Sequence, residues 1–331
     1  MPPPPFQTDA LRIPGTHHTL HVAHYGTRGG VPVVFLHGGP GGRIDDGCAD
    51  AFDRRKWHIV AFDQRGCGRS TPRDSLVDNT PHAAVEDVER LRRRYFPGER
   101  IVLFGGSYGS LLVLLYATKY ARHMRAFVVR GIYFGGPILH SAAQHANPRA
   151  WRTLQRRTQR QTLRGMMNVT ARRLAKRRDP ALASAWCRVE ESGLVSDPRD
   201  LEGTPWLKPS DADQHTCALF EAHFKARGFW LDRGENPARA RGEQTTWVDT
   251  ATRALRRARV PGVILHGGDD VICPVANAYR LYAALKDRSG RVKLRVVKGA
   301  AHSALDRKNA RALRTAVRWV YTHLIMVSSS I

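Results

Sequence analysis

Gly105-Gly106-Ser107-Tyr108-Gly109 stands between two apolar runs: Arg100-Ile101-Val102-Leu103-Phe104 before it and Ser110-Leu111-Leu112-Val113-Leu114-Leu115-Tyr116 after it. The first run has the length and composition of a buried strand and the second those of a buried helix. Strand, G-x-S-x-G, helix is the context of a nucleophile elbow, a turn so tight that its flanking positions tolerate little side-chain bulk. Such a turn pushes Ser107 out above the strand ends, where a base reaches its hydroxyl. Taken alone, the pentapeptide also fits a glycine-rich turn whose serine caps the following helix. The rest of the chain decides between the two.

Upstream, Leu11-Arg12-Ile13 and Thr19-Leu20-His21-Val22-Ala23-His24-Tyr25 alternate around Pro14-Gly15, the pattern of an antiparallel hairpin. Val31-Pro32-Val33-Val34-Phe35-Leu36 is a buried strand that runs into His37-Gly38-Gly39-Pro40-Gly41-Gly42. Glycines here let backbone N–H groups approach a substrate oxygen. Gly39 is the expected first donor of an oxyanion hole, and Tyr108, the residue after the serine, the second. Trp57-His58-Ile59-Val60-Ala61-Phe62 is a further strand, leading to Asp63-Gln64-Arg65-Gly66-Cys67-Gly68-Arg69-Ser70, in which Asp63 and Arg65 read as loop braces. Helical spacing follows from about His82 to Tyr95, and Ala126-Phe127-Val128-Val129 returns to strand.

From about Gly136 to Gly242 the alternation stops and only helical or irregular segments are legible. It resumes with a basic amphipathic helix over residues 251–259, the strand Pro261-Gly262-Val263-Ile264-Leu265-His266-Gly267 and the short strand Leu294-Arg295-Val296-Val297. A C-terminal helix extends to about Leu324. This is a doubly wound, mostly parallel α/β sheet with an inserted helical cap. The expected division is a first core part over residues 1–135, a cap over 136–245 and a second core part over 246–331.

After the late strand comes Asp270, with Asp269 as the rival acid; after the last strand comes His302. Ser107, Asp270, His302 is the Ser–acid–His order of an α/β-hydrolase. In that chemistry Ser107 attacks a carbonyl, His302 takes its proton, and the carboxylate holds the imidazole tautomer and stabilises the imidazolium.

The remaining composition narrows the classes. In 331 residues, 42% are hydrophobic, enough for a large core, and no apolar run approaches the ~20 residues of a membrane span. The start, Met1-Pro2-Pro3-Pro4-Pro5-Phe6, lacks the basic and apolar regions of a signal peptide. Five scattered cysteines with no C-x-x-C pair argue for thiols in a reducing compartment and against a zinc site. A cytoplasmic protein is expected. The net charge of +24 is spread over several helices without an aromatic stripe or nucleic-acid motif, so no specific nucleic-acid partner is expected.

Together, His37-Gly38-Gly39-Pro40-Gly41-Gly42, Asp63-Gln64-Arg65-Gly66-Cys67-Gly68-Arg69-Ser70, Gly105-Gly106-Ser107-Tyr108-Gly109-Ser110, Val129-Arg130-Gly131-Ile132-Tyr133, Asp270-Val271-Ile272-Cys273-Pro274 and His302-Ser303 resemble the proline iminopeptidase (prolyl aminopeptidase) family. The resemblance is dense over residues 10–135 and 255–325 and thin in the cap. It implies a serine exopeptidase that releases N-terminal proline from peptides, without metal or other cofactor. Ala185-Trp186-Cys187-Arg188-Val189-Glu190 and Phe220-Glu221-Ala222-His223-Phe224 are similar to two cap stretches whose glutamates hold the substrate amine in that family, which implies this role for Glu190 and Glu221. By the same resemblance Arg130 neighbours these carboxylates, and Tyr133, Phe224 and Cys273 line a pocket for the pyrrolidine ring. The chain departs from the family pattern at Tyr108, Val189, Ala222, Lys225 and Asp269. Lys225 in particular brings a charge toward an apolar pocket. Two other readings stay open: a capped hydrolase with broader aminopeptidase, amidase or esterase specificity, and a catalytically silent basic binding protein on this scaffold.

Overall fold

The computed structural model describes residues 3–135, 147–190, 194–201, 210–231 and 246–328. Eight strands form one sheet: β1 (Gln7–Arg12), β2 (Thr19–Gly26), β3 (Val31–Leu36), β4 (Trp57–Phe62), β5 (Ile101–Gly106), β6 (Met124–Arg130), β7 (Gly262–Gly267) and β8 (Val292–Val297). Their order is β1-β2-β4-β3-β5-β6-β7-β8. The expected hairpin supplies the antiparallel edge, and every pair from β4 to β8 is parallel. Strand order reverses at β3, so β3 and β5 lie side by side with their carboxyl ends together, the place where ligands bind in open α/β sheets.

Between the strands run α1 (Pro81–Tyr95) and α2 (Tyr108–Tyr120). Helix α2 is apolar on all sides, and Leu111, Leu112, Val113, Leu114, Leu115 and Tyr116 are all buried. A helix hydrophobic all round belongs inside the fold, and each such side chain withdrawn from water contributes about 1.5–3 kcal/mol. α2 thereby anchors the elbow at its own N-terminus.

The insertion contains α3 (Pro148–Thr158), α4 (Leu163–Lys176), α5 (Pro180–Glu190) and α6 (Asp211–Ala226), and no strand among the described residues. Both edges of the expected cap, 136–245, fall outside the described residues. The cap is tied to the core by polar contacts: Arg73 Nη2 donates to Asp213 Oδ1 at 2.7 Å, and Thr216 Oγ1 to Asp74 Oδ1 at 2.5 Å. The core resumes with α7 (Trp247–Arg257), α8 (Ala276–Leu285) and α9 (Arg307–Ser328). Helix α8 has no counterpart among the sequence expectations. Its burial is confined to Ala278, Leu281 and Leu285, with Tyr279 exposed, too sparse an apolar stripe to stand out. No helix among the described residues is long and apolar enough to cross a membrane.

Candidate active site

The strand-to-helix turn at Ser107 is as sharp as the glycines require. Ser107 adopts φ 56° and ψ −124°, a left-handed φ that an L-residue adopts at a cost. A β-carbon on Gly105 would lie 2.3 Å from the Gly109 carbonyl oxygen, so the two glycines of the pentapeptide make room for each other. The turn is held by the Ser107 N–H donating to the Arg130 carbonyl at 2.8 Å. The Ser110 hydroxyl donates to the Ser107 carbonyl at 2.6 Å.

The glycine loop after β3 lies directly against this turn. A β-carbon on Gly38 would stand 3.4 Å from Ser107 Cβ. His37 fixes the loop: its Nε2 accepts from the Gln64 N–H at 3.1 Å and its Nδ1 bonds the Gly38 carbonyl at 2.9 Å. Burial lowers the His37 pKa, which keeps the ring in the neutral form this pattern needs. Gly39 lines the cavity beside Ser107. Tyr108 opens α2, where first-turn amides have no acceptor within the helix. Its ring points away from the cavity into the core, 6.0 Å from both Phe224 and Phe229.

Asp270 and His302 come from the loops after β7 and β8 and meet at 2.7 Å, Nδ1 to Oδ2. Asp269 is less buried, and its backbone N–H is bonded to the Ala300 carbonyl; Asp270, not Asp269, is the carboxylate that meets His302. Asp270 Oδ1 accepts from the N–H groups of Ile272 and Cys273 at 2.9 and 2.8 Å. Burial alone would raise the Asp270 pKa. The His302 charge and hydrogen bonds from His266, His302 and the Cys273 N–H outweigh it and hold the carboxyl well below its ordinary range. The His302 pKa is lowered by burial, partly opposed by Asp270, so the ring is a neutral base at neutral pH.

Ser107 and His302 line one cavity of about 360 Å³ beneath the cap, together with Gly39, Arg130, Tyr133, Glu221 and Cys273. The cap contributes one face of α6: Gln214, Cys217, Glu221 and Lys225 recur at helical spacing and all line the cavity. Phe224, expected in the ring pocket, is not among the residues lining the cavity; its ring packs against Tyr108, Phe229 and Trp230. Glu221 is buried and accepts from Trp186 Nε1 at 2.9 Å, with Lys225 Nζ at 3.5 Å. The side chain of Glu190, at the end of α5, lies outside the described residues. Arg130 lines the cavity and donates to the His302 carbonyl, a contact that braces the histidine loop. The expected braces Asp63 and Arg65 act separately. Asp63 accepts from the Ile44 and Arg69 N–H groups, and Arg65 forms a buried two-pronged pair with Asp87 at 2.7 and 2.8 Å.

One residue beside the acid, expected only as part of a strand, has no role assigned from the sequence. His266, near the end of β7, is fully buried and lies 3.3 Å from Asp270 Oδ2. A histidine closing the apolar run Val263-Ile264-Leu265 is the available signal.

Residues 31–308 match the model of the α/β-hydrolase fold family, so the fold and the elbow belong to a member of that class. Among curated relatives, the proline iminopeptidase of Xanthomonas citri is 33% identical, the match covering 93% of this chain and 95% of the relative. The probable proline iminopeptidase of Leptolyngbya boryana is 32% identical over 91% and 90%. The chain belongs to the proline iminopeptidase family of α/β-hydrolases. Solved structures share the fold at lower identity. A proline iminopeptidase-related protein of Thermus thermophilus superposes with a TM-score of 0.56 at 20% identity, covering 96% of this chain and 99% of that one. An esterase of Rhodococcus sp. ECU1013 gives 0.57 at 17%, over 96% and 98%.

Proposed function

We propose that the protein is a serine exopeptidase releasing N-terminal proline from peptides through an acyl-enzyme. The observation that carries this reading is the 2.7 Å His302–Asp270 pair on the same cavity as a serine in a left-handed elbow, with the buried carboxylate of Glu221 across it. Neutral His302 takes the Ser107 proton as Oγ attacks the proline carbonyl carbon. The backbone N–H groups of Gly39 and Tyr108 receive the developing oxyanion. His302 then returns the proton to the leaving nitrogen as the C–N bond breaks, and water, deprotonated by the same ring, hydrolyses the ester. Glu221 binds the substrate's ammonium, a charged hydrogen bond in a dry site and therefore a strong discriminator for a free amine. No step calls for a metal or organic cofactor. A reducing compartment such as the cytoplasm is proposed on the five scattered cysteines, which form no C-x-x-C pair.

The Lys225–Glu221 contact favours a second reading, a broader aminopeptidase, amidase or esterase, because the carboxylate already has a cation beside it. The first test of catalysis is labelling by a serine-directed phosphonate. The reading expects one adduct, on Ser107, lost in Ser107→Ala; folded protein that stays unlabelled contradicts both readings.

A further inference from the structure

We infer that His266 is a positioning residue that fixes the catalytic acid and, through it, the orientation of His302. The inference rests on the serine-hydrolase reading of Ser107, Asp270 and His302.

His266 does not line the cavity and is 0% exposed, so it cannot touch a substrate. Its two ring nitrogens are both engaged, and their partners assign the tautomer. Nδ1 lies 3.1 Å from the Ile132 N–H, which can only donate, so Nδ1 is the acceptor. Nε2 lies 2.8 Å from the Cys273 carbonyl, which can only accept, so Nε2 carries the proton. The same Nε2 is 3.3 Å from Asp270 Oδ2, the oxygen that also holds His302 Nδ1. A neutral imidazole with a defined donor edge thus sits under the acid and closes the loop from Asp270 to Cys273 against the sheet.

The Ile132 bond adds a second route to the same end. Ile132 follows Gly131, whose N–H is bonded to the Leu265 carbonyl at 3.1 Å and whose φ is +54°. A β-carbon on Gly131 would stand 2.8 Å from His302 Cε1 and 3.6 Å from Asp270 Oδ2, so this backbone forms a wall against the imidazole–carboxylate pair. Asn277 Nδ2 holds the next carbonyl, that of Ile132, at 3.0 Å. His266 therefore ties three pieces together: the end of β7, the turn after β6, and the acid loop. The ionisable groups around it are Asp270 and Cys273 from the acid loop, His302 from the loop after β8, and Arg130 at the end of β6, which lies close enough to Asp270 to feel its charge.

The role predicts a loss in turnover rather than in binding. Removing the imidazole frees the acid loop, and misplacement of the order of an ångström costs about 100-fold in rate. The test compares His266→Leu, which removes both hydrogen bonds, with His266→Gln, whose amide keeps a donor near the Nε2 position. Measured are kcat and KM on a neutral aryl ester, the melting temperature, and the far-downfield proton resonance of His302 Nδ1–H. The expected result for His266→Leu is a kcat about 10- to 100-fold lower with KM within about twofold and the resonance lost or broadened, with partial recovery of both in His266→Gln. A folded His266→Leu with wild-type kcat and an intact resonance overturns the inference. Should His266→Leu not fold, His266→Ala, which also lacks the donor, takes its place: a folded His266→Ala with a lowered melting temperature but wild-type kcat and resonance overturns the inference, because the histidine is then only a structural tie. The resonance reports the His302–Asp270 bond without turnover, so its response separates failure here from failure of the hydrolase reading, which a wild-type protein inert to ester and phosphonate alike would signal.

Discussion

The Glu221 carboxylate and the Lys225 ammonium lie 3.5 Å apart, one helical turn from each other on the cavity face of α6, with side chains only 8% and 5% exposed. Lys225 also stands 5.5 Å over the Trp186 ring, whose N–H is bonded to the same carboxylate. A buried carboxylate with a resident cation has less need of a substrate amine. Replacing Lys225 by methionine keeps the stem and removes the charge, leaving substrate as a replacement counter-ion. The expected effect is a rise of about tenfold, or ~1.4 kcal/mol, in the preference for free-amine over N-acetylated substrates, read as a ratio of kcat/KM values. An unchanged or smaller ratio assigns Lys225 to packing alone.

Glu221 itself gives the complementary result. Glu221→Gln should cost free-amine substrates about 1.5–3 kcal/mol of charged hydrogen bonding and spare amine-blocked esters. Equal loss on both classes makes Glu221 a structural partner of Trp186.

Much of this site is legible in the sequence, and the division is physical. Ser107, Gly39, Asp270 and His302 follow strand ends, and strand ends are set by short apolar runs that single residues cannot disguise. The cap is different. Which face of α6 meets the cavity depends on how the helix packs, and the apolar pattern of Ala218, Leu219, Phe220, Ala222 and Phe224 runs almost all round it. Phe224 therefore packs its ring against Tyr108, Phe229 and Trp230 and does not line the cavity, whereas Glu221 does. His266 escapes notice for another reason: its partners are backbone groups of Ile132 and Cys273, which carry no side-chain signature.

Three cysteines, Cys187, Cys217 and Cys273, line the cavity, and of these Cys217 is the one that is only partly buried. A bulky thiol reagent should inhibit by obstructing the cavity although the nucleophile is serine. Cys217→Ser should relieve most of the inhibition, and Cys273→Ser a smaller share, in a time course of residual activity. Full sensitivity of the double variant would place the modified thiol elsewhere.

The pH profile follows from His302. Burial lowers its pKa from the ordinary 6.5, and catalysis needs the neutral ring. Activity is therefore complete above this lowered value and falls as pH drops through it. The acid limb of kcat/KM on a neutral ester should have its midpoint below about 6.5. A midpoint at or above about 7 would mean that Asp270 outweighs burial.

Stability toward acid should depend on Glu89, which links α1 to α2. It accepts from Arg92 at 2.9 Å, Arg93 at 2.8 Å and the Tyr116 hydroxyl at 2.8 Å. Burial raises its pKa, but these bonds prevail and lower it from 4.5 to about 2. The folded value is depressed, so the stabilisation is present above pH 4.5 and is lost as pH falls toward about 2. Glu89→Gln should destabilise the fold by about 2–3 kcal/mol at neutral pH. In denaturant titrations its difference from wild type should shrink across that acid window; a constant difference would point to packing.

The most direct measurement is the hydrolysis of aminoacyl arylamides, comparing proline with alanine, leucine and N-acetylproline under identical conditions. The account predicts release of arylamine from free proline well above the other three, abolished in Ser107→Ala. Cleavage confined to the N-acetylated compound, or to esters, would contradict the exopeptidase reading and leave only a serine hydrolase of unassigned substrate.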